Sequence, residues 1–260
     1  MTTQPHPEKP SASSEASKAS EAPNEIVEPG THAAPATYYI KVVDDGPLLV
    51  YGSPKFAQVF IETSNGVSTK YTEKTQFTLT EGAAVCRCGA SNNKPFCDGS
   101  HVAANVDLTE TATTGSTDNT MQEFDGPDIS LTDKEEFCCY ARFCDAGERV
   151  WNEVMLTGTA AKDLTLQIAQ NCPGGRLIVW DSKTKQPIEP AEVPFVGLIE
   201  DPSLGVSGPL MVRGGVPVTS ASGAVYEVRN RQGLCRCGSS SNKPFCDGSH
   251  ASVKFVDGLF

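Results

Sequence analysis

The sequence has few of the features that place a chain in a membrane or on a polyanion. It contains no apolar run of roughly eighteen residues, and its N-terminus has neither a signal-peptide pattern nor an Arg-rich amphipathic one. Its formal net charge is −11, from 21 Lys and Arg against 32 Asp and Glu, and no basic cluster stands out. We therefore expect a soluble, cytoplasmic chain with no membrane and no nucleic acid among its partners.

Fingerprints of common enzymes are missing as well. The sequence shows no Gly-rich phosphate loop at a strand-to-helix turn, no nucleophile elbow and no dinucleotide-binding pattern, and Gly223 and Gly233 are predicted to lie in turns. Aromatic residues make up 7% of the chain and hydrophobic residues 38%, so any core is modest. Small modules with thin cores need further stabilisation, for example from a bound metal. These features predict no catalytic activity.

Cysteine is the residue that the chain has in excess. Six of its ten cysteines fall in two sixteen-residue stretches, CRCGASNNKPFCDGSH at 86–101 and CRCGSSSNKPFCDGSH at 235–250, which agree at fourteen positions. Thiols that serve as ligands must stay reduced, which predicts a reducing compartment. Every potential metal ligand recurs at an offset of 149 residues: Cys86 and Cys235, Cys88 and Cys237, Cys97 and Cys246, His101 and His250.

Three thiols and one imidazole in a short stretch can hold iron or zinc, because thiolate and neutral imidazole are soft and borderline donors. The first pair is C-x-C, whereas a mononuclear zinc site usually uses C-x2-C, so the spacing favours one iron of a dinuclear cluster. Cys97 and His101 are spaced i and i+4 on a predicted helical turn and would serve the other iron. Asp98 is predicted to cap that turn, and Asp247 is predicted to cap the equivalent turn of the second stretch. A zinc ribbon and reduced structural thiols are the alternatives.

Both stretches resemble the CDGSH iron–sulfur family, the mitoNEET-like proteins. Each contains C-x-C, then Ser-x-x-Lys-Pro-Phe, then Cys-Asp-Gly-Ser-His. The family binds a [2Fe–2S] cluster through three cysteines and one histidine, so the resemblance implies two such clusters here. Family members with one motif form a homodimer around a β cap, and we expect the two units of this chain to form an intramolecular pseudo-dimer. The implied ligands are Cys86, Cys88, Cys97 and His101 for one cluster, and Cys235, Cys237, Cys246 and His250 for the other.

The predicted fold class is mainly β with small helices, as two small β-rich modules that flank a degenerate ferredoxin-like segment. GPLLVYG at 46–52 is echoed by GPLMVRG at 208–214, so each unit is predicted to be a few short antiparallel strands that lead into the ligand loop. Polar composition predicts disorder at the N-terminus and a solvated linker between the units. The predicted boundaries are 1–36 for the disordered segment, 37–103 for the first module, 104–130 for the acidic linker, 131–195 for the ferredoxin-like segment and 196–260 for the second module.

The middle segment carries a looser cysteine pattern. Cys138 and Cys144 are spaced like the first and third thiols of a C-x2-C-x2-C ferredoxin run, and Cys172 precedes a proline as the distal ferredoxin cysteine does. Ala141 stands in the place of the second ligand, so three thiolates are predicted to hold a 3Fe–4S cluster or a 4Fe–4S cluster with one open iron. Cys139 is either a substitute ligand or a bystander. The segment resembles the divergent single-cluster ferredoxin-like domain that accompanies some CDGSH modules, and a small structural domain with partly buried cysteines is the alternative.

These sites predict one-electron transfer or cluster carriage, with a redox or cluster-acceptor protein as the partner. A neutral imidazole in place of a thiolate removes negative charge from a cluster and raises its potential. The alternatives are an iron–sulfur scaffold with a structural or regulatory role, and an accessory redox subunit of an enzyme. Reversible reduction would indicate electron transfer, whereas unfolding on chelation without a redox partner would indicate a scaffold.

Overall fold

The structure is a computed structural model that describes residues 25–259. In this range the chain is mainly β with short helices, as the sequence predicts. The strands are β1 (Tyr39–Val42), β2 (Leu48–Tyr51), β3 (Lys55–Ser64), β4 (Val67–Phe77), β5 (Ala83–Val85), β6 (Gln122–Asp125), β7 (Ile129–Asp133), β8 (Leu177–Asp181), β9 (Phe195–Asp201), β10 (Val206–Arg213), β11 (Val218–Thr219) and β12 (Arg231–Leu234). The helices are α1 (Ser100–Ala104), α2 (Val150–Glu153), α3 (Thr159–Asn171) and α4 (Ser249–Ser252).

Two of the sheets carry the ligand loops, and each contains one or two strands from the other half of the chain. Their strand orders are β11-β1-β2-β5 and β12-β10-β9-β3-β4. β3 follows β2 in sequence but pairs in parallel with β9, and β11 follows β10 but pairs in parallel with β1. The antiparallel pairs predicted within each unit are present. The two parallel pairs were not predicted, because parallel partners lie far apart in sequence and leave no hairpin signal.

This exchange of strands merges the two units into one hydrophobic core. Ile40 and Val50 of the first sheet and Val196 and Leu198 of the second are fully buried and belong to a single cluster. Phe137 of the middle segment joins the same cluster. Buried apolar area stabilises a fold by about 25 cal/mol per Å². Removing either unit would therefore expose the core of the other.

The middle segment forms a third, antiparallel sheet in the order β6-β7-β8. Leu131 of β7 and Ile168 of α3 lie in its own core cluster. α3 ends at Asn171, and its C-cap residue is Cys172, so the helix positions one of the predicted ligands. A single 3-10 turn, Glu135–Phe137, leads into Cys138. Within residues 25–259, no helix is long and apolar enough to cross a bilayer.

Residues 26–28 pair with the second unit, although the sequence predicts disorder through residue 36. Val27 forms a parallel β-bridge with Val228. Glu28 is 4% exposed and lies 3.1 Å from the ammonium of Lys134, which is also buried. The polar composition of this segment predicted disorder because it gives no information about Lys134, a partner that is distant in sequence. The rest of the segment predicted to be disordered, 1–24, lies outside the described residues.

The segment 104–130, predicted to be a solvated linker, is anchored to the second unit. Leu108 is 2% exposed. Glu110 accepts a hydrogen bond from the backbone N–H of Ala221 at 2.8 Å and another from the Tyr226 hydroxyl at 2.6 Å. The segment also contributes strand β6. Its carboxylates act partly as acceptors for neighbouring donors, which a count of charges cannot reveal.

Candidate metal centres

Each ligand loop leaves the edge strand of its sheet, β5 or β12, and ends in a short helix, α1 or α4. Backbone hydrogen bonds fold the loop back onto that strand. In both loops the N–H of the first cysteine donates to a proline carbonyl, and the N–H of the third donates to a strand carbonyl. These bonds are Cys86 to Pro95 and Cys97 to Ala84 in the first loop, and Cys235 to Pro244 and Cys246 to Gly233 in the second, all at 2.8–2.9 Å.

The four donors of each loop meet in two pairs. The C-x-C sulfurs are 3.6 Å apart in the first loop and 3.8 Å apart in the second. The remaining sulfur lies 3.7 Å from Nδ1 of His101 in the first loop and 3.4 Å from Nδ1 of His250 in the second. Two ligands at about 2.0–2.3 Å from one tetrahedral ion are separated by about 3.5–3.8 Å. Each pair therefore has the spacing of two ligands on one metal ion.

The two thiols of each C-x-C pair hold a proton between them. The contact with Cys88 lowers the pKa of Cys86 to about 5, and the contact with Cys237 lowers the pKa of Cys235 to about 6. The same contacts, together with burial, raise the pKa of Cys88 and Cys237. A bound metal replaces such a proton. In the range 25–259, no three Cys, His, Asp or Glu side chains form a group that could hold one metal ion, so the donors meet only as pairs.

Backbone N–H groups at the start of each short helix point at a ligand sulfur. The N–H of Gly99 lies 3.5 Å from the sulfur of Cys97, and the N–H of Gly248 lies 3.4 Å from the sulfur of Cys246. Both glycines are the N-cap residues of their helices, with left-handed φ of 85° and 87°. Both loops therefore direct a backbone N–H at the sulfur of the third cysteine.

Asp98 and Asp247 stand one residue before the N-cap glycine, and each accepts a hydrogen bond from an N–H of the first turn, as the sequence predicts. Asp98 accepts hydrogen bonds from the N–H of Ser100 at 3.0 Å and from the N–H of Asn92 at 2.8 Å. Asp247 makes the same two contacts in the second loop, at 3.0 and 2.8 Å. Each carboxylate thus connects the first residue of the helix to the preceding loop. The cap position itself requires a left-handed backbone, which favours glycine.

The family model described as iron-binding zinc finger, CDGSH type, matches residues 45–102 and 207–251. The chain carries two CDGSH modules. The matched ranges contain all eight donors of the two loops, and the description of the family as iron-binding supports an iron–sulfur protein. Comparisons with curated proteins and with solved structures gave no match.

The residue between the first two cysteines of each CDGSH module is an arginine whose role the sequence analysis missed. Arg87 donates from Nε to the carbonyl of Gly46 at 2.6 Å, and Arg236 donates from Nε to the carbonyl of Gly208 at 2.9 Å. These glycines begin the repeated GPL segments, so each arginine joins the ligand loop to the same segment of its module, just before β2 in the first and within β10 in the second. The sequence signal for this role was that an arginine stands between the first two ligand cysteines of both copies.

The two CDGSH modules differ in exposure. In the first, Cys97 and His101 are partly exposed. In the second, Cys246 is 3% exposed and His250 is 4% exposed. The middle segment packs over the ligand turn of the second module. The pair formed by the third cysteine and the histidine therefore faces solvent in the first module and the middle segment in the second.

The three predicted ligands of the middle segment line a single cavity. Cys138, Cys144 and Cys172 surround a volume of about 170 Å³, and Ala141 also lines it. Burial raises the pKa of Cys144 to about 12. The guanidinium of Arg176 lies at the same cavity and interacts with the thiol of Cys138. The structure thus brings the three thiols to one place, with a cation beside them. All ten cysteines of the chain are free.

Proposed function

We propose that this chain is a one-electron carrier in which each CDGSH module holds a [2Fe–2S] cluster through three cysteines and one histidine. The observation that carries the proposal is the pairing of the donors, each pair at the separation of two ligands on one metal ion. A dinuclear cluster needs one such pair for each iron, whereas a mononuclear zinc site needs all four donors around one ion. The proposed ligands are Cys86, Cys88, Cys97 and His101 in the first module, and Cys235, Cys237, Cys246 and His250 in the second.

When bound, a [2Fe–2S] cluster supplies reversible one-electron chemistry at a potential set by its ligands, hydrogen bonds and exposure. Residues of this chain affect the ligand set, the hydrogen bonds and the exposure of each site. A neutral imidazole in place of a fourth thiolate leaves less negative charge at each site. The N–H groups of Gly99 and Gly248 donate toward ligand sulfurs and favour the reduced form. The partial exposure of His101 leaves the first module accessible to a redox partner.

The proposal extends to a third site in the middle segment, where Cys138, Cys144 and Cys172 hold a 3Fe–4S cluster or a 4Fe–4S cluster with one open iron. The cavity of about 170 Å³ supports it, since one water needs only about 10–15 Å³. Burial raises the pKa of the Cys172 thiol, and the nearby backbone N–H groups of Arg176 and Gly174 oppose that shift. The charge of the Arg176 side chain offsets that of the thiolates.

The proposed partner is a redox or cluster-acceptor protein with a basic docking surface, because the chain carries a net charge of −11. We propose no catalytic activity for the chain itself. Cluster carriage is the second candidate function. The partial exposure of Cys97 and His101 favours it for the first module, since a ligand at the surface can be exchanged with an acceptor.

The test is anaerobic purification followed by iron, zinc and acid-labile sulfide analysis, with EPR of the dithionite-reduced chain. Two dinuclear clusters give about four irons per chain, and a filled middle cavity gives clearly more. Changing Cys138, Cys144 and Cys172 together to serine should remove only the excess iron. His101→Cys should retain iron and lower the potential of one site, because a fourth thiolate restores negative charge. Zinc without sulfide would overturn the proposal.

A further inference from the structure

The middle cavity is built partly on a strand of the second CDGSH module. Arg231 of β12 is 1% exposed, and its guanidinium donates to three backbone carbonyl oxygens of the middle segment. The acceptors are the carbonyls of Ala169, of Cys172 at 3.4 Å and of Leu177 at 3.2 Å. Cys172 and Leu177 both line the cavity. One side chain of the second module therefore holds both ends of the turn that carries the Cys172 thiol.

The glycines that follow Cys172 bring this turn close to the same strand. A Cβ at Gly175 would collide with the carbonyl oxygen of Arg231, and Gly175 has a left-handed φ of 65°. The carbonyl of Gly174 accepts a hydrogen bond at 3.0 Å from Arg229, which lies just before β12 and is also buried. The turn is thus fixed against the backbone of the second module and against two buried arginines.

β12 also leaves space for a thiol of the middle segment. Gly233 lies in this strand, not in a turn as the sequence predicts. A Cβ at Gly233 would collide with the sulfur of Cys139, which is 2% exposed. The contact between the middle segment and the second module therefore extends from Arg229 to Gly233.

The first module lacks these two arginines. At the offset of 149 residues, Thr80 corresponds to Arg229 and Gly82 corresponds to Arg231. The middle segment follows the first module in the chain, yet the turn that carries Cys172 is held by the second. The two modules therefore differ in sequence where the middle segment attaches.

We propose that Arg231 is a positioning residue that the second CDGSH module contributes to the middle site, where it holds the Cys172 turn in the position that a cluster ligand needs. The inference rests on the proposed iron–sulfur occupancy of the middle cavity. The charge of Arg231 is paired with the buried carboxylate of Glu189, so the arginine acts through its carbonyl contacts. Side chains that orient metal ligands without touching the metal change metal affinity by roughly 10–100-fold.

The guanidinium group suits this role. It carries five N–H donors in a fixed fork, so one side chain reaches several carbonyl oxygens at once. A lysine ammonium in its place is a compact charge on a flexible stem and cannot reproduce the fork. Glu189 accepts from Arg231 and, at 3.0 Å, from Asn230. Removing Arg231 alone would leave this carboxylate buried without its partner charge, so both residues must be changed together.

The experiment measures iron, acid-labile sulfide and EPR spectra of the holoprotein and of the double variant Arg231→Met, Glu189→Gln. The variant contains no unpaired buried charge at this contact, so the fold should be retained. We expect it to lose the iron of the middle site and to keep the about four irons of the two CDGSH modules. Arg231→Lys should retain part of the middle iron, because the ammonium can still donate to some of the carbonyls.

Arg213→Met, Glu192→Gln is the matched control. Arg213 lies opposite Arg231 in the pairing of β10 with β12 and is paired with Glu192 at 3.1 Å. It donates to Glu192 and to the sulfur of Met211, neither of which lines the cavity. This control should keep the iron of all three sites.

Amide hydrogen exchange of the full chain without iron tests the contact independently of any cluster. Residues 169–177 should exchange faster in the Arg231→Met, Glu189→Gln variant than in the parent chain and the control. Unchanged exchange or full middle-site iron in that variant would overturn the role of Arg231, and so would an equal loss of iron from all three sites. A parent chain with iron in the CDGSH modules alone would instead overturn the third site of the proposed function.

Discussion

Cys88 and Cys237 pair with each other as an antiparallel β-bridge, so the C-x-C turns of the two CDGSH modules lie back to back. A Cβ at Gly238 would lie 2.7 Å from the carbonyl oxygen of Cys88, and a Cβ at Gly89 would lie 3.1 Å from that of Cys237. Both glycines have left-handed φ, 77° and 76°. The two candidate centres therefore share a junction that admits no side chain at either glycine.

Gly238→Ala is expected to lower the iron content of both modules. The substitution adds the cost of a left-handed φ, about 1–2 kcal/mol, to a clash with backbone at the junction. The measurement is iron per chain together with the Tm. Gly223→Ala is the matched control, because Gly223 has a φ of 93° and nothing within 4 Å of its Cβ position. Equal iron loss in the two variants would exclude the junction as the cause.

Asp98→Ala and Asp247→Ala are expected to shorten the lifetime of the clusters without preventing assembly. Burial raises the pKa of Asp247, but hydrogen bonds from Ser241 and Ser249 outweigh it and bring the pKa down to about 2. The carboxylate therefore stabilises the loop above its ordinary pKa of 3.8, and this stability is lost as the pH falls toward 2. Loss of comparable N–H acceptors costs about 1 kcal/mol. Visible absorbance followed against time measures the lifetime, and an unchanged decay would show that the carboxylates are not needed.

Glu200 is expected to make the fold less stable as the pH rises. Burial raises its pKa from 4.5 to about 7, although Arg236 at 3.1 Å opposes the shift. A raised folded-state pKa contributes stability that is present below 4.5 and lost as the pH rises through about 7, on the order of 3 kcal/mol. Glu200→Gln should flatten this dependence when the Tm is measured between about pH 5 and about pH 8. Parallel Tm curves for parent and variant would contradict the assignment to Glu200.

Arg236→Met is expected to destabilise the chain more than Arg87→Met. Arg236 pairs with the buried carboxylates of Glu200 at 3.1 Å and Asp257 at 2.6 Å, whereas Arg87 donates only to backbone carbonyls. Removing one partner of a buried ion pair costs about 3–5 kcal/mol, because the remaining charge is left without compensation. Denaturant titration of the two variants compares the free energies of unfolding. The reverse order would show that the carbonyl contacts dominate.

Glu28→Ala is expected to lower the free energy of unfolding by roughly 3 kcal/mol, since it removes a partner of the buried Lys134. Glu227 remains 3.6 Å from the same ammonium, so the chain should still fold. Glu25→Ala is the control, because Glu25 is exposed. The same unfolding free energy for both variants would mean that the segment beginning at residue 25 contributes nothing to stability.

The sequence alone determined which side chains are candidate donors and how they group. All four donors of each site fall within sixteen residues, so the geometry of a short chain brings Cys86 close to Cys88 and Cys97 close to His101. The repeat at a constant offset indicated two equivalent modules, and the family match confirms both. The repeated GPL segments before each loop also predicted the antiparallel strands correctly, because hairpin partners are close in sequence.

Only the tertiary structure decided how these parts meet. Nothing in the local sequence predicts that β3 pairs with β9, that Glu28 reaches Lys134, or that the thiol of Cys139 fills the space left by Gly233. Burial of apolar area is not directional, so a pattern of residues shows which side chains are buried but not against which partners. Those partners are selected by the packing of the whole core, in which strands from both halves and Phe137 of the middle segment compete for the same space.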